Sequence, residues 1–521
     1  LPNDPNNGSN SNGEITVEAG EAVISKHTIS NTITVNPGAA LTINTGITLR
    51  ANETTLNSTS QLYSSLIADG TVEGTVKYKR FVNSNSGGND LIASPLVGQT
   101  WTDFLLADTN ATDLLNDGNN NPRTFLFGHF DKATAWYVNY TDETSLTLDS
   151  GKGYRAATVG GTTLTFTGTA LTTPVTVDII NSGASYPDWN LIGNPYPSYI
   201  SIADFLNYQT ASTVKNIDLL ENISGIYGYD GSASSGWDVI TLANASDRLI
   251  APGQGFFVAA DIDYVDDYNI TFDTSMRSIG PGDDFIAGRN TNVLTFLKLN
   301  AATSNNNYKT EFYFNENASL GLDPGYDGKI LGNVAPNFAL YSNLVEGNSE
   351  LPIALQALNP SDLTNTIIPL GVNSNQGEQI SFSISESSLP SNINVYLEDN
   401  VANTVTLLNA SDYILTPSTD LSGTGRFYLR VSSSVLSVTN SALDNLQIYT
   451  TTNPKSLIVK GELNTATTVS LYDIQGRLVF KKPINYLNTI NTIDISMIGS
   501  GVYFAKVSND NQSKTQKILI N

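Results

Sequence analysis

The 521-residue chain has no cysteine and only two histidines. Without thiols, disulfides, thiolate zinc sites, iron–sulfur clusters and cysteine nucleophiles are excluded. A Ser-His-Asp arrangement would have to use His27 or His129. His27 falls in a predicted repeat strand and His129 sits between aromatics in LFGHFDK, so both read as surface or packing residues. No G-x-S-x-G elbow accompanies them. Charge is scarce and one-sided. Charged residues make up 14%, and 26 Lys plus Arg face 49 Asp plus Glu, a net charge of −23. A general nucleic-acid binder is excluded, because it needs a basic face to displace counterions from phosphate. Docking on anionic lipid is disfavoured for the same reason. No apolar run approaches the roughly 18 residues of a membrane span. The opening LPNDPNNGSNSNG has neither an initiator Met nor a signal-peptide core. A leader is therefore expected to have been removed, or the chain to be part of something longer.

The residues that dominate instead are Thr, Ser, Asn, Val, Ile and Tyr, types that suit a pleated, half-buried surface. Turn signals recur about every 8 to 12 residues and long 3.6-period stretches are missing. The expected fold class is all-β, with short helical turns at 102–107 and 202–206. Residues 1–13 read as a flexible linker. ITVEAGEAVI from Ile15 is echoed by ITVNPGAALTI from Ile33, an offset of 18. Such strand–Gly turn–strand units stack so that neighbouring rungs bury a column no single rung can bury, which predicts a short parallel β-helix over 14–85.

A larger duplication is predicted over 86–283. LIASPLVGQTWTDFL begins at Leu91 and LIGNPYPSYISIADFL at Leu191. ATAWYV answers SSGWDV, and SGKGYRA answers PGQGFFV. The offset grows only from 100 to 102 across these landmarks, so two tandem β modules should pack about a pseudo-dyad. Trp237 and Phe256, matched by Trp136 and Tyr154, are expected to be buried. Residues 284–437 carry alternating strands such as QISFSI and GRFYLRV and predict a two-sheet β-sandwich. The segment 438–521 has a different charge: from 440 onward it holds eight basic and five acidic residues. This shift at a Ser/Thr/Asn-rich junction marks a domain boundary.

The last segment carries the most specific motifs. They are IYTTTNPKSLIVKG from Ile448, VSLYDIQGRLVF from Val469, GVYFAKV from Gly501, and the terminal KTQKILIN. In this order they resemble the type A C-terminal sorting domain of the type IX secretion system of Bacteroidetes. The residues carrying the likeness are Asn453, Pro454, Leu471, Tyr472, Asp473, Gly476, Arg477, Gly501, Val502, Tyr503, Lys517, Ile518 and Leu519. The opening block usually has an aromatic before Pro-Asn-Pro and here keeps only Asn453-Pro454. The resemblance implies an Ig-like β-sandwich and signal-peptide-dependent passage through the periplasm to the outer cell surface. It further implies a secretion translocon, an outer-membrane shuttle barrel, and a sortase-like peptidase cutting near 432–441. From the residues themselves, Asp473 to Gly476 suit a tight turn. Leu471, Leu478, Val502, Phe504 and Val507 are expected to supply one core. The terminal strand should pair at a sheet edge. The body also resembles large surface proteins of the same bacteria, in FNENASLGLDPGYDGKILG, WNLIGNPYPS and APGQGFFV.

Other constellations are weaker. The 49 acids offer many carboxylate pairs but no distinguished one for a glycosidase. The Gly-x-Gly turns at 151–153 and 253–255 open no helix and so are not phosphate loops. No cofactor is expected. Ca²⁺ is the one metal the loops suit, at DGNNN, at Asp261 and Asp263, and best at Asp323 and Asp327, though none has EF-hand spacing. Trp189, Tyr196, Tyr227, Tyr229 and Trp237 have the chemistry to stack on surface glycans, but core packing explains them more simply. The expected function is a secreted or cell-surface non-enzymatic protein, an adhesin or structural module. The alternative is an accessory or carbohydrate-binding portion of a larger carbohydrate-active enzyme.

Overall fold

A computed structural model describes residues 13–84, 90–119, 121–182, 185–211, 213–229, 237–263, 268–280, 294–347, 350–433, 443, 446–463, 465–509 and 513–520. Residues 1–12 of the linker expected at 1–13, and 434–441 of the junction expected at 432–441, lie outside the described residues. The chain is all-β and divides into two compact units, Leu1–Ser434 and Val435–Asn521.

The first unit begins with a solenoid of about three turns. Strands Glu14–Val17, Thr28–Val35, Thr48–Leu56 and Thr71–Val82 stack in parallel on one wall, and Glu21–Ile24, Ala40–Ile43 and Ser65–Ala68 on another. The 18-residue echo is the register itself, with Ile15 beside Ile33 and Val17 beside Val35. Val35 then pairs with Leu56 and Leu56 with Tyr78, so one apolar column runs through the rungs. The solenoid core does not end with its last rung. Thr162–Gly168 from the first module pairs antiparallel with Thr71–Val82, and a single core joins solenoid and module. This strand covers the edge that a solenoid would otherwise expose.

The two modules share one topology. In the first, a sheet runs Trp136–Thr141, Thr124–Asp131, Gly153–Ala156, Asp90–Ala93. In the second, the corresponding strands Asp238–Ile240, Ile226–Gly228, Gly255–Ala259 and Trp189–Gly193 take the same order. Each module has a six-residue helix, Trp101–Leu106 or Ile202–Asn207, capped by Thr100 or Ser201 through the N–H of Asp103 or Asp204, and then a shorter helical turn, Asn110–Asp113 or Asn216–Leu219. The modules meet reciprocally. Ala93 N–H donates to Gly253 O at 2.7 Å, and Gly193 N–H donates to Gly151 O at 2.9 Å. At this axis a Cβ on Gly193 would lie 2.5 Å from that of Ala93, so only glycine allows the approach.

A buried asparagine in each module makes a latch that the landmark comparison misses. Asn110 Nδ2 donates to Phe104 O and Thr165 O, while its Oδ1 accepts from Thr165 N–H. Asn216 does the same with Phe205 O, Thr271 O and Thr271 N–H. Each latch ties the short helix to the strand after the module sheet. Ring pairs Phe104–Phe166 and Phe205–Phe272, both with centroids 4.9 Å apart, pack beside them.

The described part of 284–437 differs from the two separate sheets expected. Eleven strands form one hydrogen-bonded sheet. It folds over its own core. Phe382 and Phe427 lie on strands far apart in sheet order, yet their rings are 5.2 Å apart. Tyr413 donates to Asp399 at 2.8 Å across the same gap. The strands Ala339–Ser342 and Ile353–Leu358, which bridge the halves, make the sheet continuous.

Among the described residues the second unit is a seven-stranded antiparallel sandwich. Gln447–Thr452, Lys455–Lys460 and Ile490–Asp494 form one sheet. Leu478–Ile484, Thr467–Tyr472, Gly501–Ser508 and Ser513–Ile520 form the other.

Candidate functional site

In the sandwich of the second unit, the motif residues divide by strand parity, since successive side chains point to opposite faces. Leu471, Ala505, Val507, Ile518 and Ile520 face inward and are buried. Leu478, Tyr472, Phe504 and Lys517 stand in one row across the four-stranded sheet. Val502 pairs with Leu519 in the next row. Leu478 is 53% exposed, Phe504 39% and Leu519 55%. The expected single core of Leu471, Leu478, Val502, Phe504 and Val507 is therefore corrected: only Leu471 and Val507 of the five are buried. Val502 and Phe504 have the opposite parity to Ala505 and Val507. A register shift between Leu471 and Tyr472 places Leu478 on the outer face.

The turn at 473–477 is built by Asp473. Its carboxylate accepts from the N–H groups of Gln475 and Arg477 and from Arg477 Nε at 2.7 Å. Chiefly the Arg477 hydrogen bond holds its carboxyl below the usual range. Gly476 takes φ +79°, as the turn requires. Asn453 and Pro454 form the turn between the first two strands. Gly501 opens its strand, and Tyr503 Oη donates to Gly499 O. The terminal strand is an edge strand. Lys517 and Leu519 point outward, and Thr450 Oγ1 donates to Leu519 O at 2.6 Å.

In the first unit, the acids offered for Ca²⁺ are engaged within the protein. Asp327 is fully buried and accepts from the N–H groups of Asp323 and Ala357, both at 2.8 Å. Asp323 accepts from Ser319 N–H and Oγ. Asp261 accepts from Asp263 N–H, and Asp117 from Asn119 and Thr124 N–H. These are loop-shaping contacts. Among the described residues no group of three or more His, Cys, Asp or Glu is placed to hold a metal ion. His27 Nδ1 accepts from Thr48 N–H, and His129 Nδ1 lies 3.1 Å from Tyr140 Oη. Burial lowers the pKa of His129.

Trp189, Tyr196, Tyr227 and Tyr229 are buried, while Trp237 is half-buried and lines two adjoining clefts. This corrects the expectation for Trp237, and its counterpart Trp136 is 70% exposed. Phe256 and Tyr154 are fully buried, as expected. One cleft, about 220 Å³, is lined by aromatics including Tyr186, Trp189, Trp237 and Phe257. The other, about 660 Å³, adds Asn305, Asn306, Asn307 and Asn337 to Trp237 and Tyr308. Trp189 Nε1 is buried with no hydrogen-bond partner among the described residues.

Residues 5–431 match a family described as "Domain of unknown function (DUF8693)". Residues 448–521 match the "Secretion system C-terminal sorting domain". No curated protein matches the chain. Among solved structures, it is similar to one titled "Biofilm associated protein - BSP domain", at 10% identity over 86% of this chain and 96% of that one. The TM-score of 0.14 is too low for that likeness to carry an argument.

Proposed function

The chain belongs to the DUF8693 family of unknown function and is a type IX secretion cargo by its sorting domain, and from that premise we propose a non-enzymatic adhesin or structural protein of the outer cell surface. Its route would be a signal peptide to the periplasm, then the secretion translocon and an outer-membrane shuttle barrel. A sortase-like peptidase would act in the polar junction between the two units. The observation that carries this reading is the division of the sorting motif. Half of its apolar residues build the core, while Leu478, Tyr472, Phe504, Val502 and Leu519 form an apolar outer face beside Lys517. A fold alone needs only the first half. An exposed apolar face on a small domain marks an interaction surface. The surplus of basic residues in this segment would speed encounter with an acidic receptor, an effect that weakens with salt.

The test is a fusion of 435–521 behind a signal peptide and a fluorescent reporter in a bacterium with this secretion system. Export is expected. A reporter retained in the periplasm like an unfused control would refute the sorting reading.

A second reading concerns the body. The cleft around Trp237 combines aromatic faces with side-chain amides, the chemistry that stacks on and hydrogen-bonds a sugar ring. It supports glycan binding by this protein or by a larger enzyme that contains it. A glycan array with the intact chain and a Trp237→Ala variant tests it. Signal that survives the substitution would place binding elsewhere.

A further inference from the structure

We infer that Lys329 and Asp188 become joined by an amide bond, formed within the folded chain with Glu221 as proton carrier. Lys329 lies on the short strand Gly328–Lys329, which pairs with Ile353–Leu358. Asp188 directly precedes the strand Trp189–Gly193 of the second module, and Glu221 follows its 3-10 turn. Lys329 Nζ is 3.2 Å from Asp188 Oδ2 and also contacts Glu221 Oε2. The side chains of Lys329 and Asp188 are each 4% exposed, and that of Glu221 is 31% exposed.

Each partner is fixed by its own backbone. Lys329 N–H donates to Ile223 O, and its carbonyl accepts from Tyr227 Oη. The Asp188 carbonyl accepts from Ala260 N–H and Asn190 Nδ2. Glu221 N–H donates to Ala259 O. Amine and carboxyl are thus held in contact before any bond forms, which lowers the entropic barrier. The Trp189 ring lies 5.6 Å from Nζ, and the buried Tyr227 packs edge-on against that ring at 4.6 Å.

As an ion pair this arrangement is poor. Both charges have left water, and Asp188 Oδ1 is buried with no hydrogen-bond partner among the described residues. Condensation removes both charges. The Lys329 ammonium passes a proton to Glu221, and the freed amine attacks Asp188 Cγ. One Asp188 oxygen then leaves as water. It takes the proton back from Glu221 and a second proton from the nitrogen. Ammonium plus carboxylate gives amide plus water, Glu221 ends as it began, and no further reactant is needed. The partly exposed Glu221 side gives the proton and the water a path to solvent.

The intact mass of the purified chain tests this. The wild type is expected to be lighter than its sequence by one water, and digestion should yield one branched peptide containing both Asp188 and Lys329. That peptide distinguishes the bond from a cyclised aspartate. Glu221→Gln should keep the full mass while retaining its circular dichroism. Asp188→Asn should form the same amide and be lighter than its own sequence by one ammonia instead. A wild-type chain of full mass after prolonged incubation, with Asp188 and Lys329 in linear peptides, overturns the proposal. Condensation in Glu221→Gln at the wild-type rate overturns the role of Glu221.

Discussion

The two modules of the body have the same strand order, the same asparagine latch and reciprocal glycine contacts, yet their outer strands meet different surroundings. In the first module the outer strand Trp136–Thr141 leaves Trp136 exposed. In the second, the segment 323–329, a loop leading into the strand Gly328–Lys329, lies over the matching strand. Leu242 N–H donates to Gly325 O, Thr241 Oγ1 donates to Tyr326 O, and Val239 and Ile240 are buried. Equivalence within a duplication therefore fixes topology but not burial. Burial depends on what each copy packs against, and the two copies have different neighbours.

The largest effects should come from what the copies share. Replacing Asn110 or Asn216 by Ala strands a buried N–H and two carbonyls, which should cost roughly 3–5 kcal/mol at either site. Chemical denaturation of the body reads this, and a clear inequality between the two sites would break the equivalence. Phe256→Ala should fall in the same range, about 3–5 kcal/mol, from a large cavity.

A smaller effect should appear where the copies differ. Asp327 fixes the covering loop through two backbone N–H groups. Asparagine would turn an amide N–H toward one of them, at a cost of about 2 kcal/mol. Hydrogen exchange should rise at Val239–Leu242 and stay unchanged at Tyr137–Thr141. Burial pushes the Asp327 carboxyl from 3.8 up to about 7. A raised acid binds more protons folded than unfolded. Its contribution is thus fully present below 3.8 and lost as pH rises through about 7. The body should lose stability over that window, and Asp327→Asn should flatten the slope. The smallest effect belongs to Trp136→Ala, which should stay within about 0.5 kcal/mol of wild type because the ring is mostly in solvent. A larger loss would show that something covers it.

The sequence made the repeats legible because each is carried by local strings. The solenoid echo is a register, and the module landmarks are turns and strand starts. The latch was legible too, in NATDLL from Asn110 against NIDLL from Asn216, and in LTFT from Leu164 against ITFD from Ile270. These sit at an offset of 106, beyond the drift of the other landmarks, and so escaped the comparison. The face of the sorting motif was not legible. A single register shift decides whether Leu478 faces in or out, and nothing local in RLVF marks it. The Lys329, Asp188 and Glu221 cluster was equally hidden, because Lys329 lies more than 100 residues along the chain from both of its partners.

The sorting unit offers the sharper contrast, between motif residues that build the fold and those that it displays. Surface display of the full chain carrying Phe504→Ser and Leu519→Ser together, set beside Leu471→Ala, measures it directly. The double variant is expected to keep its circular dichroism and melt near wild type but to stay inside the cell, whereas Leu471→Ala should fail by unfolding. Normal display of a folded double variant would contradict the claim that export reads this face.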